Sequence, residues 1–260
     1  AMSRLSTMGG YMGANLDMAW KAERDTSWWL VGDVQAHARG NTNSELEDSH
    51  SRTSEWGRAA AGLRHLTPTT LFDMRLKGEV FDFEWYQNVA AVGPEVTWLW
   101  AASPTWHLIS RGTFNMRVYS RDHERNGNYW TLGQYVRSFW GRDNHDITLG
   151  VGYIGAVSYK KEDYSYDGWE ASARSTIKLP RGFELGPFVA YEQQWYRGPA
   201  TALESSWRQD EKWRVGGTLT WRITEAWSVE AMYQYTNNAS NSELYEYEQS
   251  LVSLGVAWSF

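Results

Sequence analysis

The chain has 260 residues, 25 Lys and Arg against 31 Asp and Glu, a net charge of -6 and a mean hydropathy of -0.59. That charge disfavours a nucleic-acid partner, and the absence of cysteine excludes disulfides, thiolate metal sites and a cysteine nucleophile. No run of eighteen apolar residues is present to make a transmembrane helix, but a spanning β-strand needs only about ten residues, half of them polar, and 17 Trp with 15 Tyr suit a water–hydrocarbon interface.

Ala1, Met2 and Ser3 read as a cut end, which predicts a mature or truncated piece of a larger protein. Residues 9–20 form a strand-like segment. From there on, alternating patterns recur and helical periodicity is nowhere sustained. Ile147, Leu149, Val151, Tyr153, Val157 and Tyr159 alternate with small or polar residues, as do Val215, Leu219, Trp221 and Ile223 with Arg214, Thr218, Thr220 and Arg222. The segment from Trp227 repeats this with Val229, Ala231, Tyr233 and Tyr235. Short turns fall at Thr67–Thr69, Ser103–Thr105, Asp143–His145, Pro180–Gly182 and Thr224–Ala226, with longer polar stretches between them at 41–54, 84–94, 120–129, 160–168, 197–211 and 237–244. Short turns at one end and long loops at the other are the asymmetry of an outer-membrane barrel. A sandwich would show turns every eight to twelve residues or so.

The chain ends on Val252 to Phe260, in which Val252, Leu254, Val256, Trp258 and Phe260 alternate with small residues. Ser253, Gly255, Trp258 and Phe260 resemble the terminal-strand signal read by the barrel assembly machinery, and they place the chain end in the periplasm. Counting back from Phe260 gives twelve strands from near Ser27. A barrel with both ends in the periplasm needs an even number, so residues 1–26 are either the first strand of a further hairpin or a tail from an upstream domain. The prediction is an all-β fold: an antiparallel transmembrane β-barrel of roughly 12–14 strands over residues 27–260, in a bacterial outer membrane, with short periplasmic turns and long extracellular loops.

On this strand map the lumen is lined by Arg39, Arg75, Lys77, Arg111, Arg117, Glu170, Arg174, Lys178, Glu184, Glu192, Arg214, Arg222 and Glu230, with Asp33, His37, Asp73 and Glu79 beside them. A ladder of positives would guide a polyanion through a wet pore. Because the signs are mixed, cross-strand pairing that stiffens the barrel is favoured. Eight strands leave a filled interior and sixteen to eighteen a water channel, so a narrow pore is expected. No catalytic motif appears. His37 and His107 read as hydrogen-bonded lumen histidines, and Asp163, Asp167 and Asp210 as solvated loop charge rather than a divalent-cation site. No cofactor and no enzymatic activity are predicted.

Asn128–Trp130, Asp163–Gly168, Leu179–Gly182, Tyr196–Pro199, Arg208–Asp210, Tyr233–Asn241 and Leu244–Tyr247 occur in this order. They resemble the C-terminal barrel of the surface lipoprotein assembly modifier family, over about residues 125–260, and more distantly the repeat-linked barrels that export exopolysaccharides. The resemblance implies a barrel joined to periplasmic tetratricopeptide repeats, which this sequence does not contain. It also implies a translocation or export pore for a surface lipoprotein or an exopolysaccharide, with outer-membrane lipids, the assembly machinery and a periplasmic repeat domain or secretion partners around it. The competing readings are a narrow diffusion porin for small anionic solutes, an outer-membrane barrel enzyme acting on lipid or peptide, and a soluble aromatic-rich carbohydrate-binding β-domain.

Overall fold

A computed structural model describes residues 4–21, 27–42, 52–83, 87–141, 144–199 and 206–258, with side chains described for all of these but 4–21, 36–42, 52–56, 82–83, 87 and 257–258. The strands are β1 (Arg4–Lys21), β2 (Trp28–Thr42), β3 (Arg52–Leu66), β4 (Thr70–Phe83), β5 (Gln87–Ser103), β6 (Trp106–Tyr119) and β7 (Gly127–Trp140). They continue with β8 (His145–Ser158), β9 (Tyr166–Lys178), β10 (Phe183–Tyr196), β11 (Gln209–Arg222), β12 (Trp227–Ser240) and β13 (Tyr247–Trp258). Each strand pairs antiparallel with the next, and Arg4–Gly10 of β1 pairs in parallel with Glu248–Leu254 of β13, closing the barrel. The described residues thus form thirteen strands, within the expected 12–14: the 9–20 segment lies inside β1, paired with β2 along its length and with β13 only at Gly9 and Gly10. Even-number parity assumes that both terminal strands meet antiparallel, and a parallel seam removes that constraint.

Alternation puts one apolar face outward. Leu132, Val136, Leu149, Val151, Val215, Leu219, Leu254 and Val256 form its middle, all of them exposed. Indole rings flank them on the turn side at Trp28, Trp98, Trp100, Trp106, Trp140, Trp221 and Trp227. On the loop side Trp169, Tyr191 and Trp213 make a continuous row, with ring centroids 5.1 and 4.7 Å apart. An aliphatic belt between two aromatic girdles is the outer surface that a bilayer selects. No helix among the described residues is long and apolar enough to cross a membrane.

Turns lie at the predicted 67–69, 103–105, 180–182 and 224–226, and Asp143 of the remaining one lies outside the described residues. Left-handed backbone occurs at Gly141, Asn144, Arg181 and Gly182. The opposite end differs from expectation. The stretch 84–94 is mostly strand, because β5 starts at Gln87, and the connections after β6, β8 and β12 span only 120–126, 159–165 and 241–246. Each of those three carries one 3₁₀ turn: His123–Arg125, Glu162–Tyr164 and Glu243–Tyr245. Above the apolar belt a strand meets water on its outer face, so its alternation vanishes while its hydrogen bonds continue.

Pro94 lies inside β5, where a residue lacking N–H has no ladder bond to give. The β5–β6 pairing steps from Val92–Met116 to Glu95–Thr113 at that place. The strands close up there, and a Cβ built on Gly93 would lie 1.8 Å from the Phe114 carbonyl oxygen. Gly93→Ala is expected to cost about 1–3 kcal/mol of unfolding free energy, read as a lower melting temperature of heat-modifiable gel migration. Gly78→Ala, with open space around it, should be close to neutral in the same assay.

Candidate functional site: the lumen and its outer vestibule

The lumen face of β2–β5 carries a continuous chain of charge. Both Arg64 (2.6 Å) and Arg75 (2.7 Å) contact the Asp73 carboxylate. The second nitrogen edge of Arg75 donates from Nη1 to Asp33 Oδ2. Arg58 Nε lies 3.4 Å from Asp33 Oδ1, an ion-pair contact without hydrogen-bond geometry, and Arg58 Nη2 donates to Glu95 Oε1 at 3.2 Å. Lys77 sits 3.6 Å from Glu95 and 3.2 Å from Glu79. Read in order, Arg64, Asp73, Arg75, Asp33, Arg58, Glu95, Lys77 and Glu79 alternate in sign, four cations with four carboxylates, and sum to zero. Asp33 is 2% exposed and Lys77 7%. Buried charge is tolerated only when matched in this way.

Strands β6–β12 carry isolated contacts instead. Arg137 meets Asp146 at 2.7 Å, and Arg214 meets Glu192 at 3.2 Å. The Arg111 guanidinium lies 5.7 Å from the Tyr135 ring, and the Tyr135 hydroxyl donates to Glu170 at 3.5 Å. Thr220 Oγ1 donates to Glu230 at 3.4 Å. At the turn end Lys178, Glu184 and Arg222 line a cavity of about 330 Å³, and Arg174 lies exposed on the lumen-side register of β9.

At the loop end the barrel opens into a larger vestibule of about 640 Å³. The third residues of the three 3₁₀ turns, Arg125, Tyr164 and Tyr245, all line it. Arg208 is stacked between two phenols, 4.0 Å from the Tyr196 ring and 3.3 Å from Tyr245, and donates from Nε to Asp210 at 3.0 Å. Burial pulls its pKa down, and the Asp210 hydrogen bond and nearby Tyr196 more than offset that, leaving it above the ordinary arginine value. Asp210 also accepts from Ser240 Oγ at 2.7 Å. Across the mouth the Arg117 guanidinium lies 4.2 Å from the Tyr129 ring, within cation–π range.

The family model described as surface lipoprotein assembly modifier matches residues 13–260. The chain belongs to the surface lipoprotein assembly modifier family. The match extends well upstream of the motifs at 125–260 and takes in most of β1. No curated protein matches the chain. Membership ties this barrel to surface lipoprotein assembly, and with the outward apolar belt it points to an outer-membrane location.

Within this family member, Arg39 and His37 lie on β2 at the register of Ser54 and Trp56, with side chains outside the described residues. His107 packs against Phe139, centroids 4.8 Å apart. Asp167 accepts from Arg197 at 2.9 Å and Asp163 lies 3.8 Å from Lys161. Of the terminal-strand positions, Ser253 and Gly255 alternate with the exposed Leu254 and Val256. Trp258 pairs with Trp227 through its backbone, and Phe260 lies outside the described residues. Sequence reading missed Arg58, Arg64 and Glu95, the links that make the charge chain continuous. It also missed Tyr129, Tyr196, Asn238 and Tyr245 in the vestibule. Strand parity would have found the first three. The vestibule residues sit at strand ends and in loops, where parity gives no signal.

Proposed function

We propose that the chain is a bacterial outer-membrane barrel through which a surface lipoprotein is passed to the cell surface, the periplasmic partner delivering the lipoprotein and the assembly machinery engaging β13. The observation that carries this reading is the family match over residues 13–260 on a closed barrel with a lipid-suited outer face. The lumen supports it. The described charge chain over β2–β5 is neutral and self-satisfied, and so gives a passing chain little to stick to. The sparser wall over β6–β12 leaves polar groups free to rearrange. A diffusion pore for small anions gains less support, because among the described residues the four cations of the β2–β5 charge chain, Arg58, Arg64, Arg75 and Lys77, are each matched by a carboxylate. No bond-making step belongs to this reading.

The test is protease shaving of intact cells that carry a surface lipoprotein, with the gene for the full protein present, deleted and restored. Surface exposure of the lipoprotein should disappear on deletion, with its total amount unchanged, and return with the restored gene. Unchanged exposure would overturn the reading. So would steady, anion-selective single-channel conductance of the purified protein, which would favour a porin.

A further inference from the structure

We propose that the outer vestibule is a binding site for an acidic sugar unit, a polyhydroxylated ring that carries a carboxylate. Its volume of about 640 Å³ lies in the range of small-molecule sites. Two polar groups on its wall lack partners. Asn238 is 3% exposed; its Nδ2 donates to the Tyr245 carbonyl at 2.7 Å, and its Oδ1 accepts nothing. Arg117 stacks on Tyr129 but finds no hydrogen-bond acceptor for Nε and no carboxylate among the described residues. Of the neighbouring charges, Arg208 is matched by Asp210 and Glu192 by Arg214, while Lys212, also on the wall, adds a second cation without an ion pair among the described residues. Buried polar groups are normally satisfied, so one orphan acceptor and one unmatched guanidinium on the same cavity call for a ligand that brings both a donor and an anion.

The wall chemistry narrows the class. Seven tyrosines line the cavity (Tyr119, Tyr129, Tyr164, Tyr166, Tyr196, Tyr245 and Tyr247), and Leu244 is its one aliphatic side chain. Nothing there suits an acyl chain or an aliphatic peptide side chain. A pyranose presents C–H faces to phenol rings and a rim of hydroxyls to planar polar groups such as Gln194, Asp210 and Asn238. A hydroxyl would donate to Asn238 Oδ1, and the carboxylate would meet Arg117. The wall is built before the ligand arrives: Arg208 is clamped between Tyr196 and Tyr245, and Tyr166 packs on Tyr196 with centroids 5.2 Å apart. That limits the ordering cost of binding. The site opens at the loop end, facing free glycans and the sugar heads of surface glycolipids alike. The proposal stands independently of the export reading and is tested without it.

The test is calorimetry of the detergent-purified protein with tetragalacturonate, neutral maltotetraose, inorganic phosphate and an acidic tetrapeptide of alternating Asp and Gly. Tetragalacturonate should bind, and maltotetraose should bind at least about tenfold more weakly, as expected for loss of one charge-assisted contact. Arg117→Gln and Asn238→Ala should each weaken tetragalacturonate by about tenfold without changing heat-modifiable migration. Arg117→Lys, which keeps the charge, should recover part of that loss. Should Arg117→Gln not fold, Asn238→Asp serves in its place, because a new carboxylate would repel the acidic ligand and spare the neutral one. Absence of binding, equal binding by the variants, phosphate binding as tightly as the sugar, or peptide binding as tightly as the sugar would each overturn the assignment. Repeating the titration in nanodiscs with and without lipopolysaccharide separates the sources: competition by lipopolysaccharide assigns the site to a glycolipid head, and no competition assigns it to a free glycan.

Discussion

Asp33→Ala is expected to lower the unfolding free energy of the barrel by about 3–5 kcal/mol, the cost of breaking a buried ion pair by removing one partner. Asp33 is 2% exposed and joins the two halves of the charge chain, Arg64–Asp73–Arg75 on one side and Arg58–Glu95–Lys77–Glu79 on the other. Without it, the Arg75 and Arg58 guanidiniums, 16% and 17% exposed, lose their shared anion, and the wall carries an uncompensated positive charge. Asp33→Asn should fall between the two, because it keeps the shape and loses the charge. Adding Arg75→Met to Asp33→Ala should restore part of the loss, since the double variant removes both charges. The comparison pair is Asp167 and Arg197 in the loop region, 37% and 45% exposed. Its hydrogen bond to Asp167 raises the Arg197 pKa, yet water screens that contact, and Arg197→Ala should cost no more than about 1 kcal/mol. Denaturant unfolding in detergent, followed by gel mobility, measures all four. If Asp33→Ala stays within about 0.5 kcal/mol of the parent, the range of ordinary surface substitutions, the charge chain is not what holds β2–β5 together.

The parts of this fold that were legible in sequence are those that lie in the belt. Between Ile147 and Tyr153, and again between Trp213 and Ile223, one face meets hydrocarbon and the other meets the lumen, so alternation is enforced and can be read. Higher up, at Gln87–Gly93, Val89 and Ala91 are buried while Asn88 and Ala90 are exposed, so burial still alternates but the apolar–polar pattern does not; pairing continues there through Phe83–Gln87, and at Tyr166–Gly168 through Tyr196–Tyr166. That is why 84–94 resembles a loop. Thirteen strands fall inside the expected 12–14, but the seam was not legible: nothing in residues 1–20 announces that the start of β1 will lie beside β13 in parallel. The charge chain was half legible. Inward position follows from parity, so Arg75 and Lys77 stand out, but partner choice depends on register. The β3–β4 register sets Arg64 against its partner Asp73, whereas Glu95, opposite Arg75 in the β4–β5 register, pairs with Arg58 and Lys77 instead, and neither outcome can be read from spacing. The vestibule was legible only in part: Arg117 and Glu192 stand out by parity, but the rest of its chemistry comes from strand ends and loops brought together by four hairpins.

Leu132→Arg is expected to destabilise the membrane-inserted barrel by about 2–4 kcal/mol, whereas Ile223→Arg should cost no more than about 1 kcal/mol. The two side chains are aliphatic and of the same size, and both are exposed on the outer face, at 58% and 49%. What separates them is depth. Leu132 lies near the middle of β7, opposite Tyr153 in the register, inside the aliphatic belt. Ile223 follows the end of β11 at the Thr224–Ala226 turn, beside the indole girdle of Trp221 and Trp227, where a guanidinium reaches the headgroups. A soluble barrel offers no such gradient: an arginine would be equally welcome at both exposed positions. Equilibrium refolding into lipid bilayers gives the two free energies directly. Equal, small costs at both sites would mean that the outward apolar surface is not a membrane belt, and the outer-membrane location would fall with it. A difference in the expected direction would fix the belt's depth on this barrel and, by the turn-end position of Ile223, its orientation relative to the vestibule.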